Sequence, residues 1–355
     1  MFKKSLIAAI FAFTNLAFAS SHAQEQQWAR ELATAVPKGV KLVIAEQSDQ
    51  FSIPWKLSGH GKDAPYQVNF SNFNGGPAVI EALVSGAVDV GFIGEAPLPI
   101  AISAGVNDLV AIAALANPGS PGNIFLAVQP NSGIKSVEEL AGKSIAYPPG
   151  TGRHMILSGI LHSAGLSLNK DVNGIQLAGT EVAPTFASGS VDAAIVLGQQ
   201  LFRLGNPPVI DDGTGHNWGI NLLVARKSSL NDPGKQAALA DLIRRIVKIN
   251  NWQQNHIDEW IQATYVKQQG LTPEQGKYLY EKSGLGFYYP IDNRLTEIIQ
   301  EISDGLYQTG ALKKKIDVQP YIDNRFNHIV EIQNKYDDLK AKPLINETHN
   351  FVSSN

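Results

Sequence analysis

A nine-residue pattern in this chain returns 103 positions later, and that repetition limits the folds open to it. Ala82-Leu83-Val84-Ser85-Gly86-Ala87-Val88-Asp89-Val90 is matched by Thr185-Phe186-Ala187-Ser188-Gly189-Ser190-Val191-Asp192-Ala193. In each copy an apolar helix face ends at Ser-Gly, where glycine supplies a left-handed cap, and Val-Asp opens a buried strand. The surrounding order repeats as well. Strands are expected at Lys41 to Ala45, Gln67 to Asn72, Val88 to Ile93 and Leu109 to Ala114. They are expected again at Lys143 to Tyr147, Gly174 to Leu177, Val191 to Leu197 and Pro208 to Asp211. β-Branched runs alternating with helical stretches indicate an α/β fold with largely parallel sheets. Two copies of one strand-helix unit then predict two similar open-sheet lobes with helices on their faces.

Beyond Asn221 the pattern turns helical, over Lys235 to Asn251, His256 to Gln269, Pro273 to Ser283 and Asn293 to Thr309. A segment that returns after a complete second lobe is expected to pack on the first. The division that follows is lobe I over residues 24–118 and 222–333 and lobe II over 119–221, joined by a two-crossing hinge. Residues 334–355 are polar, with Lys340-Ala341-Lys342-Pro343 and Ser353-Ser354-Asn355, and are expected to form a frayed tail.

The first residues read as a targeting segment. Lys3 and Lys4 precede an apolar run from Leu6 to Ala19, and Ser21-His22-Ala23 offers small residues where a signal peptidase reads. A secretory signal over residues 1–23 is expected, with the mature chain starting near Gln24. The run is shorter than the roughly 20 apolar residues that span a bilayer, and no cysteine stands at the cleavage point to carry a lipid. The expectation is a soluble exported protein that is not a lipoprotein and does not insert into the membrane.

Composition removes whole classes of chemistry. The 355 residues carry a formal charge of −3, which gives no electrostatic footprint for nucleic acid. An apolar share of 44% with 17% charged residues supports a large buried core. Cysteine is absent, so disulfides, thiolate nucleophiles, Cys-ligated zinc and iron-sulfur clusters are excluded. There is no Gly-x-Ser-x-Gly elbow, Walker loop or His-Glu-x-x-His helix. His154 and His162 share a helix, but no acidic partner completes a metal set. No catalytic residue, metal site or cofactor is expected.

In open α/β sheets ligands bind beyond the carboxyl ends of the strands. Applied to both copies, that rule sets loops 46–51, 73–77 and 94–97 against loops 148–154, 178–181 and 198–200, with the ligand between. Asn74-Gly75-Gly76-Pro77 and Pro148-Pro149-Gly150-Thr151-Gly152 each open a helix, and exposed N–H groups at a helix start attract anions. An anionic group is expected at Thr151 and Gly152, with charge added by Arg153 or His154. The plain alternative is that Thr151 only caps its helix while Arg153 faces water. Gly94, Glu95 and Ala96 follow a strand of the first lobe, where Glu95 suits orientation or lobe closure better than direct contact with an anion. Gln47, Gln199 and Gln200 are neutral donors and acceptors at strand ends, of which Gln47 and Gln199 are taken as ligand contacts. Trp218 lies near the return crossing, either lining the cleft or buried in the hinge.

These residues resemble those of a known family: periplasmic substrate-binding proteins of ABC importers for aliphatic sulfonates and taurine, within a group that includes nitrate-binding and thiamine-pyrimidine-related proteins. The likeness runs from Gly76-Pro77 through Glu81-Ala82-Leu83, Gly86 and Asp89 to Gly94-Glu95-Ala96-Pro97. It continues over Ile134 to Lys143, Ala187 to Asp192, Ile316-Asp317-Val318 and Asp323-Asn324-Arg325-Phe326. The resemblance implies a type II periplasmic binding protein fold and a monomer that captures a small organosulfur anion and delivers it to a permease in the inner membrane. Thr151 and His154 fit the family's second helix start, whereas Gly152 and Arg153 depart from it. Gly198-Gln199-Gln200 stands where the family often has a Trp-Asp-Pro turn, which argues against a taurine preference. A sulfate ester, nitrate, a thiamine pyrimidine precursor, a pyrimidine-synthase-like enzyme and a ligand sensor are the alternatives.

Overall fold

The computed structural model describes residues 23–117, 122–217, 219–283 and 286–337. The expected leader, the boundary at 118/119, Trp218 and the end of the tail lie outside these residues.

A helix over residues 23–34 (α1) precedes β1 (Lys41–Glu46), α2 (Ser52–Leu57), β2 (Gln67–Asn72), α3 (Gly76–Ser85), β3 (Val90–Gly94), α4 (Pro97–Ser103) and β4 (Leu109–Ala116). The chain then builds a second unit from β5 (Ile124–Val128), β6 (Ser144–Tyr147), α5 (Gly152–Ser163), β7 (Asn173–Gln176), α6 (Val182–Ala187), β8 (Ala193–Leu197), α7 (Gly198–Arg203) and β9 (Val209–Asp211). It returns through β10 (Ile220–Arg226), α8 (Lys227–Asn231), α9 (Pro233–Asn255), α10 (Ile257–Ile261), α11 (Pro273–Ser283), β11 (Phe287–Tyr289), α12 (Asn293–Gln308) and α13 (Asn327–Tyr336).

Two sheets result, in the orders β11-β4-β10-β3-β1-β2 and β7-β6-β8-β5-β9. They are mixed rather than largely parallel. β1 pairs in parallel with β2 and β3, and β6 with β7 and β8. β10 runs antiparallel between β3 and β4, and β5 antiparallel between β8 and β9. β11 is antiparallel to β4 as well. β5 and β10 each follow a passage from one sheet to the other, so each enters its sheet from the opposite end. Their apolar sequences, Ile124 to Val128 and Ile220 to Ala225, were hidden by the expectation of helices after Asn221 and of a plain repeat before it.

The repeated motif has one structural job in both lobes. Gly86 and Gly189 are left-handed, with φ of 79° and 76°. Asp89 and Asp192 stand just before β3 and β8, so those strands begin two residues later than expected. Each carboxylate accepts a backbone N–H from the neighbouring strand, Val43 at 2.9 Å and Ser144 at 2.8 Å. Each also donates its own N–H to the carbonyl of that same residue.

Helices cover both faces of each sheet. On the first sheet α3, α4 and α12 bury Val79, Leu83, Leu98, Ile299 and Ile302 on one side, while α9 and α13 bury Leu239, Ile243, Ile329 and Val330 on the other. In the second, α5 buries Met155, Leu157 and Leu161 on one face and α6 buries Val182 and Phe186 on the other. The helix over 23–34 is tied down by buried Glu25, which pairs with Lys248 and accepts from Gln333 at 3.3 Å.

One part of the return departs from the expected packing on the first lobe. Leu271 and Leu279 join the core of the second, beside Phe125, Phe186 and Val196. Arg203 donates to the Gln269 carbonyl at 2.6 Å, and Lys282 pairs with Asp212 at 2.8 Å. Amphipathic helices declare that one face is buried, not which sheet buries it. The single helix expected over 256–269 is also broken, changing to π-helical winding over Gln262–Gln268. At the far end α13 continues to Tyr336, past the expected tail start, because Asn334 donates to the Tyr288 carbonyl at 2.9 Å and Tyr336 packs on Trp28.

Candidate anion-binding cleft

The carboxyl ends of β1, β2 and β3 share one edge of their sheet, and those of β6, β7 and β8 share one edge of theirs. The helices that leave these edges set the candidate site. α3 starts at Gly75, whose φ of 91° suits glycine, and no side chain caps it. A Cβ on Gly76 would stand 2.3 Å from Pro97 Cγ, so glycine there lets α3 and α4 start side by side. α5 starts at Thr151, whose Oγ1 accepts from the His154 N–H at 3.4 Å and donates to the Pro148 carbonyl at 2.9 Å. The hydroxyl proton is therefore spent within its own loop, and Thr151 is a cap before it is a donor. A Cβ on Gly152 would meet nothing within 4 Å, so the space beside this first turn is open.

The two tips meet across the lobes. A Cβ on Gly75 would lie 4.0 Å from Thr151 Cγ2, and one on Gly150 would lie 3.5 Å from Pro77 Cγ. Two helix starts, each carrying partial positive charge, are thus brought face to face, an arrangement that favours an anion between them.

Arg153 stands behind the second tip. It is 8% exposed and does not face water. Its guanidinium donates to Gln200 Oε1 at 3.1 Å and to the Gly179 carbonyl at 3.3 Å, which spans the carboxyl ends of the second sheet. Among the described residues it forms no ion pair, and burial pulls it down to about 10. A buried guanidinium balanced only by neutral oxygens is an electrostatic deficit that a bound anion would fill. His154 accepts from the Gly150 N–H through Nδ1 at 3.3 Å and packs on Tyr147 with ring centres 4.9 Å apart. Burial lowers it to about 4, so near pH 7 it is neutral and adds no charge.

In the first lobe Glu95 is 4% exposed, and burial lifts its carboxyl to about 7. It does not hold Arg153: among the described residues neither forms an ion pair. A half-protonated carboxyl repels an anion less than a carboxylate, which fits a place beside the cleft. Ala96 is buried, and Gly94 opens onto empty space. Gln47 Nε2 donates to the Phe92 carbonyl at 3.2 Å, fixing that loop on β3. Gln199 is half-buried on α7 and forms no hydrogen bond among the described residues. The structure therefore gathers Gln47 with Gly94, Glu95 and Ala96, and Thr151 to His154 with Gln200. Gly75 and Pro77 bridge the two groups, while no described contact joins Gln47 or Glu95 to Gln199.

Two residues stand outside the expected ligand contacts. Gln200, not Gln199, touches Arg153, because the turn at Gly198 aims the third helical position back at the strand end, where Gln200 Oε1 also accepts the Leu197 N–H at 3.1 Å. Asn221 pairs in register with Gly94. Its signal was a lone amide in the apolar run Ile220 to Ala225. Among the described residues no cluster of three His, Asp or Glu side chains is suited to a metal, and no helix is long and apolar enough to cross a membrane.

Residues 62–208 match the family described as NMT1/THI5 like. A Bacillus subtilis (strain 168) protein named "Putative aliphatic sulfonates-binding protein" is 28% identical over 335 residues, covering 90% of this chain and 94% of the relative. Among solved structures, the alkanesulfonate-binding protein SsuA from Xanthomonas axonopodis pv. citri, bound to MOPS, aligns with a TM-score of 0.72 at 21% identity, over 81% of this chain and 99% of that one. The periplasmic aliphatic sulphonate binding protein SsuA from Escherichia coli aligns with a TM-score of 0.67 at 24% identity, over 80% and 92%. The chain thus has the two-lobed periplasmic binding protein fold and is similar along most of its length to proteins named for binding aliphatic sulfonates.

Proposed function

We propose that this protein is the periplasmic solute-binding component of an ABC importer, capturing a small organic oxyanion, an alkanesulfonate or related organosulfur compound, and delivering it as a monomer to the permease. The observation that carries this reading is Arg153, a buried guanidinium that pairs with no carboxylate among the described residues, set behind a helix start that faces a second one across the lobes. A sulfonate offers three oxygens and one negative charge, which suits several convergent N–H donors. A ligand touching both tips favours the closed arrangement, since only that state makes both sets of contacts. The names of the relatives support the same ligand class.

A thermal-shift panel of alkanesulfonates, taurine, sulfate esters, sulfate, nitrate and a thiamine pyrimidine tests it. A ligand at 1,000 times its Kd adds about 4 kcal/mol to folding stability. Stabilisation by sulfonates is expected. A shift produced by nitrate or the pyrimidine alone would replace the ligand assignment, and turnover of any compound would replace the transport reading.

A further inference from the structure

A cavity of about 300 Å³ lies at the cleft edge of the first sheet, on its α9 side. Phe51, Phe92, Trp260, Tyr280 and Tyr288 give it an aromatic lining, with Leu115 beside them. The strand register connects it to the candidate site. Gly94 pairs with Asn221, Asn221 with Leu115, and Leu115 with Tyr288, so these four stand in one row across β3, β10, β4 and β11. Directly paired residues share a face, and Phe92, two residues before Gly94, shares it too. At one end of the row Gly94 leaves open space; at the other, Leu115 and Tyr288 enter the cavity. Between them stands the half-buried amide of Asn221, which has no hydrogen-bond partner among the described residues.

The cavity walls come from both sides of the hinge. Phe51, Phe92, Leu115 and Tyr288 belong to the first sheet and its loops. Tyr280 rides on α11, the helix whose Leu279 is buried in the second lobe's core. The Tyr280 hydroxyl is buried and lacks a hydrogen-bond partner among the described residues. An apolar, ring-lined space with one or two unspent polar groups is the usual make-up of a site for an organic ligand.

We propose that this cavity receives the organic part of the ligand, so that the protein is built for aryl or other cyclic sulfonates rather than for the shortest alkanesulfonates. The proposal rests on the oxyanion reading above and adds to it the half of the ligand that carries no charge. A ring seated there touches both lobes, so the tail as well as the anion drives closure.

Titration calorimetry with benzenesulfonate and methanesulfonate tests the proposal on the wild-type protein and on Leu115→Trp, which fills the cavity away from Arg153 and the helix tips. Benzenesulfonate is expected to bind at least tenfold tighter than methanesulfonate, and Leu115→Trp to weaken benzenesulfonate tenfold or more while leaving methanesulfonate within twofold. A second measurement needs no altered core. Benzenesulfonate should change the Trp260 emission, identified as the signal lost in Trp260→Phe, and methanesulfonate should not. If both sulfonates bind, the variant treats them alike and Trp260 is silent, the tail site is wrong and the oxyanion site stands. If neither binds the wild-type protein, the oxyanion reading fails and takes this one with it.

Discussion

Asp89 and Asp192, 103 residues apart, make the same bonds in the two lobes: each accepts a strand N–H, from Val43 at 2.9 Å and from Ser144 at 2.8 Å. Their surroundings differ. Asp89 also pairs with Lys235 at 2.6 Å and accepts from Ser229 at 3.1 Å, tying the returning chain to the first lobe. Among the described residues Asp192 adds only the Ser144 hydroxyl, at 2.7 Å. Asp89→Ala should therefore cost about 3 kcal/mol and Asp192→Ala about 1 to 2 kcal/mol, both measured by urea unfolding. Equal losses would remove the added role given to Asp89.

Arg153→Met is expected to weaken sulfonate binding at least tenfold while leaving the melting temperature unchanged or higher. Among the described residues no carboxylate offsets the desolvation of the buried guanidinium. Its acceptors keep other donors, since Gln200 Nε2 donates to the Gly179 carbonyl at 3.2 Å and the Leu197 N–H donates to Gln200 Oε1. Calorimetry and differential scanning calorimetry on the ligand-free variant separate the two effects. A large fall in stability with unchanged affinity would make Arg153 a structural residue.

Thr151→Val removes the oxygen that caps α5 and the bond to Pro148. A loss of about 1 kcal/mol is expected, with Thr151→Ser restoring it. Sulfonate affinity should fall in Thr151→Val as well, because the same cap holds the first turn's N–H groups toward the opposite tip.

Glu95 and His154 give opposite pH dependences. Burial raises Glu95 from 4.5 to about 7. Between those values the unfolded chain has released the proton that the folded one retains, so stability falls as pH rises from about 4.5 to 7 and is flat above. Glu95→Gln should remove that decline, gaining about 3 kcal/mol over the wild type at pH 8. His154 is lowered from 6.5 to about 4. Its unfolded form binds the proton first, so its contribution is complete above about pH 6.5 and is lost as pH falls toward 4. Urea unfolding of the wild type, Glu95→Gln and His154→Gln across pH 4 to 8 reads the two slopes.

Much of this was legible in the sequence, for reasons that can be named. The Ser-Gly and Val-Asp pairs carry a left-handed cap and a strand-to-strand bond, so the repeat stated a structure and not only a pattern. The glycine-rich starts of α3 and α5 declared themselves through backbone needs alone. What stayed hidden depended on partners far away in the chain. Nothing near Ile220 says that it will run between β3 and β4, and nothing in Leu279 says that it will lie against the second lobe. Arg153 was visible as a candidate, but its burial depends on Gly179 and Gln200, which only the folded sheet brings beneath it.

The position of β10 between β3 and β4 has a temporal meaning. A chain threading out from its amino end presents β3 and β4 long before Ile220 arrives to join them, so the first sheet stays split while the second already has all five of its strands. The amino-terminal half is thereby the later one to finish. Closing so long a loop is slow, and the interval leaves the nascent chain pliable.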